Sequence, residues 1–305
     1  MKKELLEFIT GMEVLLTKLK SQLNSIEQIE QNNSNEIKQI KKEEKQSENK
    51  CDVLKQFLDN PSWSLAVSPD LICDENNQED KMDRARGIRD VFNADFNYDN
   101  KKILDFGTGY GHLIQALAEK NISFAAGYDI KNEFQIQSGK NTILTVSWDE
   151  IIKNAPYNLI FLYDVIDHAA NETPQEILGK VKSVLADDGI IKMRCHPFIS
   201  KHGGHVYNKI NKAYVHLILN NEELKELGHD FKNFPTIKVT TPLRTYNKFI
   251  MDAGLKTIDQ KVVNEPAESI FLSGEFAEKI KSNLKINQLF IPQMGTQFVD
   301  YVLSK

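Results

Sequence analysis

Residues 103–113 read Ile-Leu-Asp-Phe-Gly-Thr-Gly-Tyr-Gly-His-Leu, and this stretch decides the fold. A short apolar run ends in Asp105, and a segment with helical apolar spacing begins at Leu113. Between them, glycines stand at alternate positions: Gly107, Gly109 and Gly111. The pattern predicts a strand, a tight turn and a helix, because glycine adopts the unusual dihedrals of such a turn at no steric cost. This arrangement is typical of a nucleotide-type ligand site in an α/β sheet.

The dinucleotide fingerprint Gly-x-Gly-x-x-Gly does not fit this turn. Counted from Gly107, its third glycine would fall at His112, and counted from Gly109 it would fall at Ile114. Asp105 stands two residues before the first glycine, where a carboxylate would repel a pyrophosphate but attract a ligand with a cationic amine. The residues therefore favour a ligand other than a dinucleotide, with a purely structural glycine turn as the alternative.

Further apolar segments along the chain predict the rest of a sheet, at 123–130, 141–147, 157–166, 190–193, 255–263 and 297–303. The segment at 157–166 is almost continuously apolar, which is typical of a central parallel strand buried on both faces. Residues 186–189 predict a turn, and an apolar helix is expected after Lys209. Helices are also predicted at 79–92 and at 242–254, the latter ended by glycine.

The ordered set of motifs over residues 85–305 resembles that of class I S-adenosylmethionine (SAM) dependent methyltransferases. Asp-x-Gly-x-Gly-x-Gly resembles their first motif, and Asp129 stands where their second strand ends in an acid that holds the ribose. Asp164, Asp167 and His168 match the acid-x-x-acid-His pattern that closes their fourth strand. The resemblance implies an α/β fold with a Rossmann-like doubly wound seven-stranded sheet, and SAM as the cofactor.

The resemblance also implies which residues contact SAM. They are Asp105, Gly107, Thr108, Gly109, Gly111, Asp129, Ile130, Trp148, Asp149 and Asp164. Two of these acids have a structural alternative. For Asp129 the alternative is a strand-end acid that caps a turn, which is common. Asp149 is equally suited to cap the helix expected near Glu150.

Residues 194–205 read Arg-Cys-His-Pro-Phe-Ile-Ser-Lys-His-Gly-Gly-His and follow the fifth predicted strand. In open α/β sheets the ligand crevice lies beyond the carboxyl ends of the strands. Histidine is the side chain most easily poised near neutral pH, so we expect a histidine here to bind or deprotonate the methyl acceptor. The candidates are His196, His202, His205 and, from the fourth strand, His168. A hydrogen-bonded structural turn is the alternative.

The same loop predicts neither a metal site nor a reactive thiol. The histidine spacing matches no standard zinc pattern, so no metal is expected. Cys195 lacks the Pro-Cys context of the pyrimidine C5 methylases, and we expect a buried, inert thiol.

Residues 1–50 differ in composition from the rest of the chain. Apolar residues recur there in steps of four and three, which indicates a heptad seam: Leu5, Ile9, Met12, Leu16, Leu19, Leu23 and Ile26. We expect a helical coiled-coil arm that pairs with other copies or with a partner protein, the alternative being a single amphipathic helix folded onto its own domain. The predicted domains are this arm, a connector with cofactor-covering helices at 51–95, and the methyltransferase domain at 96–305.

Composition narrows the function further. A net charge of −5 disfavours a sequence-independent nucleic-acid binder, which normally carries a basic face. Three scattered cysteines give no disulfide framework, and no apolar stretch reaches the length of a membrane span. These features together predict a cytoplasmic protein.

We therefore expect a methyltransferase that acts on a hydroxyl, less favourably an amine, of a small molecule or glycan. The alternative is a structural or assembly protein that keeps the methyltransferase fold and is anchored by its arm. A nucleic-acid methylase is the third candidate; the acidic balance and the absence of an Asp-Pro-Pro-Tyr type motif count against it.

Overall fold

The computed structural model describes residues 55, 57–60, 64–69, 72–74, 76–169, 172–229 and 243–305. The chain divides into two compact units, Met1–Trp63 and Ser64–Lys305, and the second of them contains the sheet. The predicted heptad arm at 1–50 lies outside the described residues. Within the described ranges, no helix is long and apolar enough to cross a membrane.

A seven-stranded mixed sheet forms the centre of the second unit. Its strands are β1 (Lys102–Phe106), β2 (Phe124–Tyr128), β3 (Thr142–Thr145), β4 (Tyr157–Tyr163), β5 (Leu185–Cys195), β6 (Lys256–Asn264) and β7 (Thr296–Ser304). They lie in the order β3-β2-β1-β4-β5-β7-β6. The first five strands pair in parallel, and β7 runs antiparallel to both of its neighbours. This confirms the predicted Rossmann-like α/β fold.

The strand order determines where a ligand site can form. The chain leaves β1 towards β2 and β3 on one side, and then crosses back to place β4 on the other side of β1. In an open α/β sheet, this reversal leaves a crevice beyond the carboxyl ends of the two central strands. Asp105 lies near the carboxyl end of β1, and Asp164 directly follows β4.

Helices cover both faces of the sheet. They are α1 (Gln78–Gly87), α2 (His112–Ala118), α3 (Trp148–Asn154), α4 (Pro174–Val184), α5 (Val215–Ile218), α6 (Asn221–Glu226), α7 (Leu243–Asp252), α8 (Gly274–Leu284) and α9 (Ile291–Met294). The start of α4 is set by its sequence: Thr173 and Glu176 form a reciprocal capping box, with Pro174 at the first helical position. The predicted glycine stop after α7 is also observed, since Gly254 has a φ of 67°.

Alternate residues of the central strands point to opposite faces and build two apolar layers. Leu104 and Ile160 pack on the face covered by α4 and α7. Ile103 and Leu159, one residue earlier in each strand, pack on the face covered by α1 and α2. Because both faces are buried, β4 needs an almost continuous apolar run, and this is why the sequence marked it so clearly.

Three predicted elements differ from the structure. Residues 186–189, expected as a turn, belong to β5, where the register against β4 shifts between Tyr157 and Leu159. The helix expected after Lys209 is only α5, preceded by turns, because Tyr214 takes a left-handed φ of 57° just before it. The helix predicted at 79–92 starts as α1 but continues as a π-helical turn at Ile88–Phe92.

Candidate functional site

The glycine turn after β1 has the backbone geometry that its sequence predicts. Gly107, Gly109 and Gly111 have φ values of 80°, 55° and 92°. These values lie in the left-handed region that residues other than glycine rarely adopt. At Gly107 space is also lacking, since a Cβ atom would lie 2.5 Å from Cγ2 of Val165. The turn therefore passes close to the residues after β4 and leaves room for a ligand rather than a side chain.

Hydrogen bonds to the side chain of Asp129 hold this turn beside the end of β2. The N–H of Gly109 donates to Oδ2 of Asp129 at 2.9 Å, and the N–H of Lys131 donates to its Oδ1 at 3.1 Å. A carboxylate has about four lone-pair positions, so each oxygen retains capacity for a further donor. Asp129 is partly exposed on the wall of a cavity, where such a donor can reach it.

Asp105 is a buried acid beside the same turn. Only 4% of its surface is exposed, and burial raises the pKa of its carboxyl to about 7. Among the described residues, no lysine, arginine or histidine forms an ion pair with it. A cationic group of a ligand would therefore compensate a charge that the protein itself leaves unbalanced.

A cavity of about 220 Å³ opens between the glycine turn and the residues after β4. We call it the cofactor pocket. Its apolar walls are formed by Tyr128, Ile130, Val165, Ala169 and Ile177. Its polar lining residues include Asp129, Asp164, His168 and Glu172. Apolar walls with a few placed carboxylates suit a nucleoside, whose base is flat and whose ribose carries hydroxyl donors.

The predicted cofactor residues divide into two groups. Those that line the cofactor pocket are Gly107, Asp129, Ile130 and Asp164. Those that lie outside its wall are Asp105, Thr108, Gly109, Gly111, Trp148 and Asp149. Trp148 packs edge-on against Phe106 and Tyr128, with ring centroids 5.7 and 5.3 Å away, and so supports the wall from behind. Asp149 is exposed in the first turn of α3.

All four candidate histidines meet at the carboxyl ends of β4 and β5. His168 lies in a short 3-10 turn after β4, and the other three lie in the loop after β5. Nε2 of His168 is 2.9 Å from Nδ1 of His205. Nδ1 of His196 is 3.0 Å from Nε2 of His202, and the rings of His196 and His205 have centroids 4.7 Å apart. We call these four residues the histidine cluster.

Two carboxylates hold the histidine cluster in place. Asp164, whose backbone has a left-handed φ of 57°, pairs through Oδ1 with Nε2 of His196 at 3.0 Å. Its Oδ2 accepts from Nη2 of Arg84 at 3.2 Å. Asp167 is fully buried, and its Oδ2 accepts from the backbone N–H of His196 at 3.1 Å.

The pKa values of these groups move in opposite directions. Burial alone would raise the pKa of Asp164, but the charges of His196 and Arg84 lower it below its usual range. For Asp167, burial and the charge of Asp164 raise the pKa to about 6.

Among the histidines, burial opposes the charged form throughout. The carboxylate of Asp164 overcomes this effect at His196 and raises its pKa. Burial, followed by the charge of His196, lowers the pKa of His202 to about 3. The same two causes lower the pKa of His205 well below its usual value. The carboxylate of Asp164 therefore favours the charged form of His196, whereas His202 and His205 are held in the neutral form.

A larger cavity of about 740 Å³ lies on the other side of the histidine cluster. We call it the acceptor cavity. All four cluster histidines line it, and Asp164 and His168 line the cofactor pocket as well. These two residues therefore form the boundary between the two spaces.

Sequence reasoning did not identify the arginine that forms part of the acceptor cavity wall at the end of β5. Arg194 donates from Nε and Nη2 to Asp300 of β7 at 2.6 and 2.7 Å. Its guanidinium lies 3.7 Å from the ring centroid of Phe298. The only signal in the sequence was a charged residue at the end of a buried strand, and its ion-pair partner Asp300 lies 106 residues away.

Cys195, the other notable residue of this loop, is fully buried. Burial raises the pKa of its thiol well above its usual value, which agrees with the expected inert thiol.

A sequence model of the methyltransferase domain family matches residues 79–205, while no curated protein matches the chain significantly. Among solved structures, the chain is similar to a SAM-dependent methyltransferase from Archaeoglobus fulgidus, with 16% identity, a TM-score of 0.45, and coverage of 75% of this chain and 95% of that one.

Two further structures give similar values. An S-adenosylmethionine-dependent methyltransferase from Mesorhizobium loti has 11% identity and a TM-score of 0.44, with coverage of 73% of this chain and 100% of that one. The cyclopropane synthase MmaA2 from Mycobacterium tuberculosis has 13% identity and a TM-score of 0.43, with coverage of 82% and 93%. Other observations support a class I SAM-dependent methyltransferase: the match of the methyltransferase domain model to residues 79–205, the strand order and the glycine turn.

Proposed function

We propose that this methyltransferase acts on a hydroxyl group of a small molecule or glycan, and that a residue of the histidine cluster meets that hydroxyl. The observation that carries the proposal is the shared boundary between the two cavities. His168 and Asp164 line both the cofactor pocket and the acceptor cavity. A hydroxyl held against His168 from the acceptor cavity would lie next to the cofactor pocket.

On this proposal, the residues of the cofactor pocket hold the nucleoside and the amino-acid end of SAM. Asp129 accepts from the ribose hydroxyls, with Ile130 beside the base, and the glycine turn with Asp105 holds the amino-acid end. When bound, SAM supplies a methyl group on a positively charged sulfur. The protein orients the acceptor oxygen and keeps water out, and orientation alone can contribute several kcal/mol to a group transfer.

A hydroxyl acceptor fits the cluster because an alcohol becomes a good nucleophile only as its proton leaves. A positioned base typically contributes about 10²- to 10⁴-fold to such a step. Of the four cluster histidines, His168 is the one that lines both the cofactor pocket and the acceptor cavity. Both ring nitrogens of His196 are already in contact, one with Asp164 and the other with His202 and the carbonyl of Gln297.

A nucleic-acid acceptor is less favoured by the surroundings of the acceptor cavity. Its wall includes Asp80, Asp83 and Asp164 among the charged groups. Acidic groups in the wall repel a phosphate backbone, whereas nucleic-acid sites normally use clustered lysine and arginine. Arg84 and Arg194, which also line this cavity, are already paired with Asp164 and Asp300.

The experiment is methyl transfer from labelled SAM to extracts of the host, with products identified by mass spectrometry. We expect a labelled hydroxyl compound with the wild-type protein. His168→Ala should retain S-adenosylhomocysteine binding while its transfer rate falls about 10²- to 10⁴-fold. The matched control is His112→Ala, because His112 is a buried histidine of α2 that contacts Gln78 and does not line the acceptor cavity. The proposal fails if alanine variants of all four cluster histidines keep the full rate with SAM bound.

We further propose that the heptad arm at 1–50 joins copies of the chain or recruits a partner protein. The support is the sequence seam alone, and the test is the mass of the full chain in solution. The double variant Leu16→Asp with Leu19→Asp places charges on the seam and should give a monomer. An unchanged mass for this variant would show that the seam is not an assembly surface.

A further inference from the structure

Asp167 is a buried carboxylate whose contacts are incomplete. Its side chain is fully buried, and while Oδ2 accepts from the backbone of His196, Oδ1 has no hydrogen-bond partner within the described part of the chain. A buried carboxylate oxygen without a donor costs several kcal/mol, so such groups are normally paired or bound to a metal. The orphaned oxygen therefore indicates a group that completes this site.

Two imidazoles lie beside this carboxylate. One ligand atom each from Asp167, His168 and His205 lie within 4.8 Å of one another. Nε2 of His168 and Nδ1 of His205 are 2.9 Å apart. Two nitrogens bound to one ion at about 2.1 Å are separated by about 3.0 Å in octahedral and about 3.4 Å in tetrahedral geometry. The observed spacing of 2.9 Å therefore fits neighbouring positions on an octahedral ion.

We propose that Asp167, His168 and His205 bind one divalent transition-metal ion at the boundary between the cofactor pocket and the acceptor cavity. Two imidazoles and one carboxylate suit borderline ions such as zinc, cobalt or iron(II), and the set leaves coordination positions open. The linear spacing of histidines gave no zinc pattern because the ligands come from two separate loops, after β4 and after β5.

The neighbouring residues form a suitable outer shell. The backbone N–H of His196 holds Oδ2 of Asp167 at 3.1 Å, and this fixes the orientation of the carboxylate. The side chain of His196 is in turn paired with Asp164. Metal ligands in proteins are commonly held by such hydrogen-bonded partners, and loss of one partner typically lowers metal affinity 10- to 100-fold.

The role of the ion rests on the proposed function, whereas its binding does not. An ion at this place would present an open position to the acceptor cavity, which both His168 and His205 line. With the ion bound, His168 would act as a ligand rather than as the base. A hydroxyl at the open position would be oriented towards the cofactor pocket and would lose its proton to water in the acceptor cavity more readily, because a bound cation lowers the pKa of an attached oxygen.

The test is cobalt binding to the full-length, tag-free chain after removal of metals with a chelator. Co²⁺ is the probe because its visible absorption reports the ligands directly. We expect one Co²⁺ per chain with nitrogen and oxygen ligands and no thiolate band. His205→Ala and Asp167→Asn should each weaken binding roughly 100-fold or more, since losing a ligand costs more than losing an outer-shell partner. His112→Ala, outside the cluster, should bind as the wild type does.

Binding of S-adenosylhomocysteine to each metal-free protein separates the possible failures. Retained binding shows that a variant is folded and that its cofactor pocket is intact. The metal proposal is overturned if the wild type binds S-adenosylhomocysteine but takes up no Co²⁺, or if His205→Ala binds Co²⁺ as tightly as the wild type. The hydroxyl proposal fails separately, if a protein that binds both ligands methylates no hydroxyl compound.

Discussion

The buried acid Asp105 gives a prediction whose magnitude follows from the structure. Burial raises the pKa of its carboxyl from 3.8 to about 7. Each tenfold change in proton affinity corresponds to about 1.4 kcal/mol, so the ionised carboxylate destabilises the folded protein by about 4 kcal/mol. Asp105→Asn removes this ionisation and keeps a side chain of nearly the same shape.

The direction of the pH dependence follows from which state holds the proton. Between about pH 4 and pH 7 the folded protein keeps the proton on Asp105 after the unfolded chain has lost it. The contribution of Asp105 to stability therefore falls as pH rises through this window, and it stays at its lowest value above pH 7. Asp105→Asn should be increasingly more stable than the wild type over the same window.

The assay is urea unfolding of the cofactor-free, full-length proteins at several pH values between about 4.5 and 8. Comparing the two proteins at each pH cancels the titration of every other group. We expect the difference in unfolding free energy to change by about 3 kcal/mol in favour of the variant over this pH range. A difference that stays constant across this range would refute the reasoning, because Asp105 would then titrate alike in both states.

The same substitution should weaken cofactor binding, so stability and function would move in opposite directions. A hydrogen bond to a charged group contributes about 1.5–3 kcal/mol. If Asp105 meets the amine of the cofactor, Asp105→Asn should lower the affinity for S-adenosylhomocysteine by about 10- to 150-fold. If calorimetry at pH 8 gives the same affinity for the wild type and Asp105→Asn, then Asp105 does not contact the amine of the cofactor.

Three further predictions test the walls of the site. Gly107→Ala should abolish S-adenosylhomocysteine binding, because its Cβ would lie 2.5 Å from Val165 at a φ of 80°. Adding Val165→Ala should restore part of the affinity. A fully active Gly107→Ala would contradict the steric argument. Asp129→Asn should weaken S-adenosylhomocysteine binding roughly tenfold or more in calorimetry. Asp149→Asn, at an exposed position outside the cofactor pocket, should change the affinity little. The reverse result would show that Asp149, and not Asp129, contacts the ligand. Arg194→Met should lower the unfolding free energy by about 3 kcal/mol in urea, since it leaves the partly buried Asp300 without its partner; a loss below about 1 kcal/mol would mean that the pair contributes as little as a surface ion pair.

The central strands were predictable because the residue patterns that mark them are local. The glycine turn after β1 and the apolar run of β4 each depend only on neighbours within a few residues. The predicted turn at 186–189 was wrong because polar residues with a glycine also suit a strand end with a shifted register, as β5 shows. The helix expected after Lys209 failed in the same way, since apolar spacing does not reveal a left-handed residue at Tyr214.

The histidine cluster was predictable only in part. The rule that ligands bind beyond the carboxyl ends of parallel strands brought the two histidine-bearing loops together. Which side chains would touch was not predictable, because the short turn at Ile166–His168 decides that Asp167 points inwards. The contact between Arg84 and Asp164 joins residues 80 positions apart, a separation at which local patterns carry no information.

Calorimetry of S-adenosylhomocysteine binding to the full-length chain tests the central claim most directly. The account predicts one binding site per chain, with binding lost in Gly107→Ala and retained in His112→Ala. Absence of binding to the wild-type protein at ligand concentrations of about 1 mM, where even weak sites fill, would contradict it.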